Sequence, residues 1–268
     1  MVKTFLFVLM FMFSFSVCNA QNVNITPSSS INDEDTEIVI DAIQMTTNYM
    51  KEHFGKSLPF NVQINVGQNS SELPKMFTLA DINTNISGRA AMGKINLIIP
   101  QNASVSYITF ITAHELVHQY QAGVLGGMET LKKNMWFTEG MADIIGCRVA
   151  NMVDSRMDAA FRKNAKTKAE ASRLELRKIT ERKNWQEAFN AKEEPYAVAD
   201  KTLLYLTDNF DDNMMFDYLY ELNRYSASEA LDRVYGLKVS DLAMIVFSQS
   251  YEDNYTQPLT DNVLPSYF

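Results

Sequence analysis

Apolar positions recur along this chain with two different periods, and the change of period divides it. Over residues 35–54, Ile38, Ala42, Met45 and Tyr49 return at the spacing that lines one helical face, and Gly55 follows as a C-cap. Phe60, Val62, Ile64 and Val66 then alternate with Asn61, Gln63 and Asn65, the period of a half-buried strand closed by Gly67. Residues 95–99 predict a second strand ended by Pro100, and Gly88 and Gly93 before it suggest a hairpin or an irregular edge. The next helix is expected from Ser104 or Ser106 through His118 to Tyr120, with Gly123, Gly126 and Gly127 ending any continuation. Another helix is expected over residues 136–152, and everything beyond it has a helical pattern. This order predicts an α+β fold. An N-terminal α/β lobe with a small mixed sheet covers residues 35–152, and a mainly α-helical lobe covers residues 153–268.

Composition narrows the classes of function. The 268 residues are 46% hydrophobic and 21% charged, enough apolar surface for a sizeable core and not the make-up of a disordered polyanion. A formal net charge of −8 leaves no basic surface to neutralise a nucleic-acid backbone, so no nucleic-acid partner is expected. Residues 156–183 run against that balance, with ten Lys and Arg against four Asp and Glu. They read as a solvated helical face or connector, the alternative being a lid over a cleft. Residues 1–20 read as a secretory signal peptide. Lys3 precedes an apolar run over residues 5–17, and Cys18 and Ala20 stand at the −3 and −1 positions before Gln21. A secreted or otherwise extracytoplasmic chain is therefore expected, with a lipoprotein acylated at Cys18 as the lesser alternative. No later stretch is long and apolar enough for a transmembrane anchor, and residues 21–34 read as a flexible lead-in. Cleavage would leave Cys147 as the one cysteine, so export here implies no disulfide.

The chemistry is concentrated in His114-Glu115-Leu116-Val117-His118. Residues four apart share a helical face at about 6 Å along the axis, so two imidazoles can converge on one zinc ion at roughly 2.0–2.1 Å. Glu115, next to His114, can lean over a metal-activated water without being a ligand. Ile108, Phe110, Ile111, Leu116 and Val117 around the motif are apolar, so its polar groups sit on a buried helix and need a metal or a partner. The bland alternative is a pair of ordinary core histidines. His53 ends a helix near its negative pole and needs no ligand role. The better third ligand is Glu139, twenty-one residues after His118 at the start of the next helix. A carboxylate there makes a His2Glu set for one Zn2+ and leaves the fourth position to water. Otherwise Glu139 is a first-turn glutamate favoured by the helix dipole. Asp143, one turn beyond, faces the same side and can accept the outer N–H of a ligand imidazole. Cys147, one turn further, reads as a small core residue.

The segment from His114 to Glu139-Gly140-Met141-Ala142-Asp143 resembles the gluzincin metallopeptidases, the thermolysin-like clan. The resemblance implies a zincin-like fold, with His114, His118 and Glu139 as zinc ligands, Glu115 as catalytic base and Asp143 behind a ligand. It also implies a secreted peptide hydrolase that binds a peptide or protein substrate along an edge strand, for which residues 88–99 are suitably placed. Gly88-Arg89-Ala90-Ala91-Met92-Gly93-Lys94 contains no acid that would capture a free amine, which favours an endopeptidase over an aminopeptidase. Similar proteins place an oxyanion-stabilising tyrosine at a helix start such as Glu194-Pro195-Tyr196, so Tyr196 is the first choice for that role and Tyr205 the second. The competing reading is a non-catalytic zinc-binding or protein-binding domain that retains the metal helix as structure.

Overall fold

The computed structural model describes residues 23–74, 88–127, 131–132, 134–172 and 174–248. The expected signal peptide and the end of the helical lobe lie outside the described residues. The chain builds a mixed α+β fold with a small four-stranded sheet. The strands are β1 (Val23–Pro27), β2 (Val62–Gly67), β3 (Gly88–Ala91) and β4 (Lys94–Ile98), in the order β1-β2-β4-β3. β1 and β4 run parallel to β2, and β3 closes the sheet as an antiparallel edge with Ala91 opposite Lys94.

Strand β1 corrects the expectation of a flexible lead-in over residues 21–34. Its five residues carry only Val23 and Ile25 as half-buried apolar positions, too few for a pattern, and its order comes from pairing with β2. Helix α1 (Asp33–Phe54) follows, capped by the Asn32 side chain, which accepts from the Asp35 amide at 2.6 Å. Gly55 ends it in the left-handed conformation at φ 65°. Its buried stripe is Val39, Ala42, Ile43, Met50 and Phe54, one residue round from the expected face, while Ile38, Met45 and Tyr49 lie at the rim.

Helix α2 (Val105–Val124) carries the histidine motif and starts where Ser104 accepts from the Tyr107 amide at 3.2 Å. It does not stop near Tyr120. Gly123 lies inside it because a side chain there would collide with the Pro59 ring, so this glycine serves close packing and ends nothing. α2 packs on α1, β3, β4 and α3 (Met135–Ala150), and is buried almost all round. Beyond α3 come α4 (Met157–Ala171), α5 (Arg182–Asn190), α6 (Pro195–Asn209), α7 (Met214–Glu221), α8 (Ala227–Tyr235) and α9 (Val239–Ser248). One apolar core extends from Ile31 to Val246, so the helical half shares its interior with the sheet-bearing half. The basic stretch follows α4 and the segment after it, where Arg162 pairs with Asp158 and Asp208 and Lys168 with Glu194.

Candidate metal centre

Helices α2 and α3 bring the three expected ligands to one point. His114 and His118, one turn apart on α2, turn their Nε2 atoms toward each other at 3.0 Å. Glu139, in the first half of α3, sets Oε2 at 3.6 Å from His114 Nε2 and 3.5 Å from His118 Nε2. Donor atoms on a tetrahedral shell about 2.1 Å from a common centre lie about 3.4 Å from one another. The triangle of 3.0, 3.5 and 3.6 Å is close to that size, and two imidazoles with a carboxylate suit one divalent ion. Among the described residues this is the one group of His, Cys, Asp and Glu that could hold a metal. His53 stands apart on α1 with its ring stacked on Tyr49 at 4.3 Å.

Each imidazole is oriented from behind. His114 Nδ1 lies 2.7 Å from Asp143 Oδ1, on the same helix as Glu139. His118 Nδ1 donates to Gln121 Oε1 at 2.8 Å, and Gln121 Nε2 donates to the Thr138 carbonyl at 2.9 Å. These contacts place the proton of each ring on Nδ1 and leave both Nε2 lone pairs directed at the metal position. Gln121 also ties His118 to the backbone immediately before Glu139. It was not among the expected site residues. Its signal in the sequence is its place three residues after His118, on a helix face where an unpartnered amide would be costly.

Glu115 is buried at 6% exposure, and its Oε2 has no hydrogen-bond partner. The α-carbon of Gly88 on β3 rests against this carboxylate, where any side chain would overlap it. Tyr196, in the first turn of α6, lies beside Glu139, with its ring wedged between Trp185 at 4.9 Å and Phe189 at 6.1 Å. Gly140 permits this approach, since a Cβ there would lie 3.0 Å from Leu203 and 3.2 Å from the Ala199 carbonyl on α6. Tyr205 is nine residues further along α6 and packs against the core. That distance is about 13 Å of helical rise from Tyr196.

The electrostatics follow from burial and these pairings. Burial alone pushes the His114 imidazole down, but the charge and hydrogen bond of Asp143 outweigh it and hold the ring above its ordinary value. Burial opposes protonation of His118 as well, yet Glu139, then Glu115 and Gln121, bring it up to about 9. Burial raises the Glu139 carboxyl, but the two imidazoles and the Tyr196 hydroxyl hold it below the usual range. For Glu115, burial prevails over the same imidazoles and its carboxyl is held up. Asp200, one helical turn beyond Tyr196, is held far above the usual range by burial, by the Asp143 charge and by a hydrogen bond shared with Asp143. It is therefore a neutral acid behind the acid that backs His114.

No protein-family model matches the chain, and no curated protein matches it either. Two rings of fixed tautomer, a carboxylate at coordination spacing, a buried carboxylate with a free acceptor and a neutral phenol make a centre that can hold one metal ion. They also provide an acceptor and a donor for proton traffic beside it.

Proposed function

We propose that this chain is a secreted zinc-dependent peptide hydrolase of the gluzincin kind, with a zincin-like fold and endopeptidase action. The observation that carries the reading is the convergence of His114 Nε2, His118 Nε2 and Glu139 Oε2, with the carboxylate of Glu115 buried next to them. When bound, zinc supplies Lewis acidity and a water whose pKa is lowered toward 7. With such an ion held by His114, His118 and Glu139, the unpartnered oxygen of Glu115 would serve as the acceptor for a proton from the attacking water and as its donor to the leaving amine. Burial, followed by the charges of Glu139, Asp143 and Glu115, keeps the Tyr196 phenol protonated, so it can donate to the oxyanion of the tetrahedral intermediate. Asp143 and Gln121 hold the imidazoles in their ligating tautomer throughout.

Peptide recognition is assigned to β3, the sheet edge nearest Glu115, by addition of an extended strand. Residues 88–94 carry no carboxylate to bind a substrate α-amine, which supports cleavage within a chain. The test combines zinc analysis with hydrolysis of a quenched-peptide library, with and without chelator. One zinc per chain and chelator-sensitive cleavage are expected. Glu115→Gln should cut turnover by at least about 100-fold while keeping its zinc. Stoichiometric zinc with no cleavage of any peptide would turn the assignment to a metal-dependent binding module. No bound metal would overturn the metal centre itself.

A further inference from the structure

Two stripes run along α2, one turn deep. His114 and His118 form the first, and Glu115 and Gln119, also four residues apart, form the second. The second stripe faces the β3–β4 hairpin. Gln119 is fully buried, and its amide is saturated by the hairpin turn. Its Oε1 accepts from the Gly93 amide at 2.8 Å, and its Nε2 donates to the Ala91 carbonyl at 2.9 Å and the Lys94 carbonyl at 3.1 Å. The turn is tight, reversing over only Met92 and Gly93, with Gly93 at φ 74°, a conformation open to glycine. At the other end of β3, Gly88 rests on the Glu115 carboxylate. The strand is therefore held to the helix at two points one helical turn apart, by an amide at one and by the absence of a side chain at the other.

We propose that Gln119 is a positioning residue: it locks the β3–β4 hairpin to α2, so that Gly88 stays against Glu115 and the outer edge of β3 keeps a fixed place relative to the general base. The consequence for catalysis rests on the hydrolase reading above, whereas the clamp itself is a statement about the fold. An extended peptide added to β3 would inherit the position that Gln119 imposes on that strand. Loosening the clamp then weakens binding of long substrates and misplaces their scissile bond, while the ligand triangle stays intact on α2 and α3.

The test uses the full metal-loaded chain with Gln119→Met, which keeps side-chain length and removes all three hydrogen bonds. Gln119→Asn, which keeps the amide on a shorter stem, serves as the milder variant should the first fold poorly. Residue-resolved amide exchange is compared between residues 88–97 and helix α3, alongside zinc content and KM and kcat over peptides of increasing length. Exchange in the hairpin, at Gly93 above all, is expected to rise about tenfold or more in Gln119→Met and less in Gln119→Asn, with α3 and zinc content unchanged. KM should rise several-fold for long peptides and stay level for those too short to reach β3. Hairpin exchange as slow as in the parent, or a rise spread equally over α3, would overturn the proposal, as would a loosened hairpin with unaltered KM and kcat. Should the parent hydrolyse no peptide, the hydrolase reading fails on its own, and the exchange comparison still decides whether Gln119 is a clamp.

Discussion

The two imidazoles share a helix and one metal position, yet the regions behind them differ in chemistry. Behind His114 stands an acidic region drawn from α3 and α6, with Asp143 at 2.7 Å and Asp200 beyond it. Behind His118 stands a neutral region, the Gln121 amide anchored on the Thr138 carbonyl. Both fix a tautomer, but only the acidic one adds negative charge. A centre that already holds Glu115 and Glu139 would be harder to assemble if both rings were backed by carboxylates, because each further buried charge needs compensation. The amide positions His118 without that cost and couples it to the start of α3, where the third ligand sits.

The largest expected effect lies beside the acidic side, at the phenol that α6 sets against Glu139. Tyr196→Phe should lower kcat by about 100- to 1,000-fold, the range for loss of one oxyanion donor, and leave zinc content unchanged. Steady-state kinetics beside metal analysis checks this, and an unaltered kcat would remove Tyr196 from the mechanism. Next comes pH. His118 is held up at about 9 against an ordinary value of 6.5, so in the metal-free protein its stabilising contribution is complete below 6.5 and is lost as pH rises through 9. Zinc must displace that proton. Affinity should therefore climb at least about tenfold per pH unit from 7 to 9, about 100-fold or more in all, and then level off, with the raised His114 imidazole steepening the lower part. Competition titrations with a chelating dye measure the slope, and the melting temperature of the metal-free chain should fall over the same interval. A flat affinity profile would mean that Glu139 does not face His118 in solution.

How much of this centre the sequence discloses depends on whether a contact is local. His114, Glu115 and His118 are readable because a helix places residues i and i+4 together whatever surrounds it. Glu139 and Asp143 are readable because their own spacing is one turn and their helix returns beside the first. Gln119 and Gln121 are not, since which buried amide meets the hairpin and which meets a ring is settled by tertiary packing around α2. Asp200 sits in a stretch that reads as an ordinary helix start, and its importance arises only because α6 lies against Gly140. The same limit governs the fold. α1 and β2 announce themselves by period, while β1 takes its order from a partner thirty-nine residues away and Gly123 passes for a helix terminator until Pro59 is seen beside it.

Smaller effects sharpen the contrast between the two backing regions. Asp143→Ala should weaken zinc binding toward the upper end of the ten- to hundredfold range for outer-shell partners, about 100-fold, because a charged acceptor is lost. Gln121→Ala should lie at the lower end, about tenfold, because a neutral one is lost. Equal losses in competition titrations would show that charge behind the ring does not matter and would remove the distinction.

The smallest effect tests the far end of the acidic region. Asp200 and Asp143 are both buried, at 7% and 6% exposure, and two ionised carboxylates in contact there would repel strongly. Burial and the neighbouring Asp143 charge hold Asp200 protonated, so it acts as a donor to Asp143. Asparagine keeps that donor and nearly the same shape. Asp200→Asn should therefore shift zinc affinity by less than about threefold, well below the loss of an outer-shell partner, and melting temperature by no more than about 2 °C. Asp200→Leu, which has no donor, should weaken zinc binding by about tenfold. Were Asp200 ionised in the folded chain, the asparagine variant would relieve a buried repulsion. The melting temperature would then rise by several degrees at pH 7, a gain that would shrink as pH falls and the parent carboxyl takes up its proton. The sign of that one shift separates a shared proton from a strained pair, and with it decides whether the region behind His114 carries one negative charge or two.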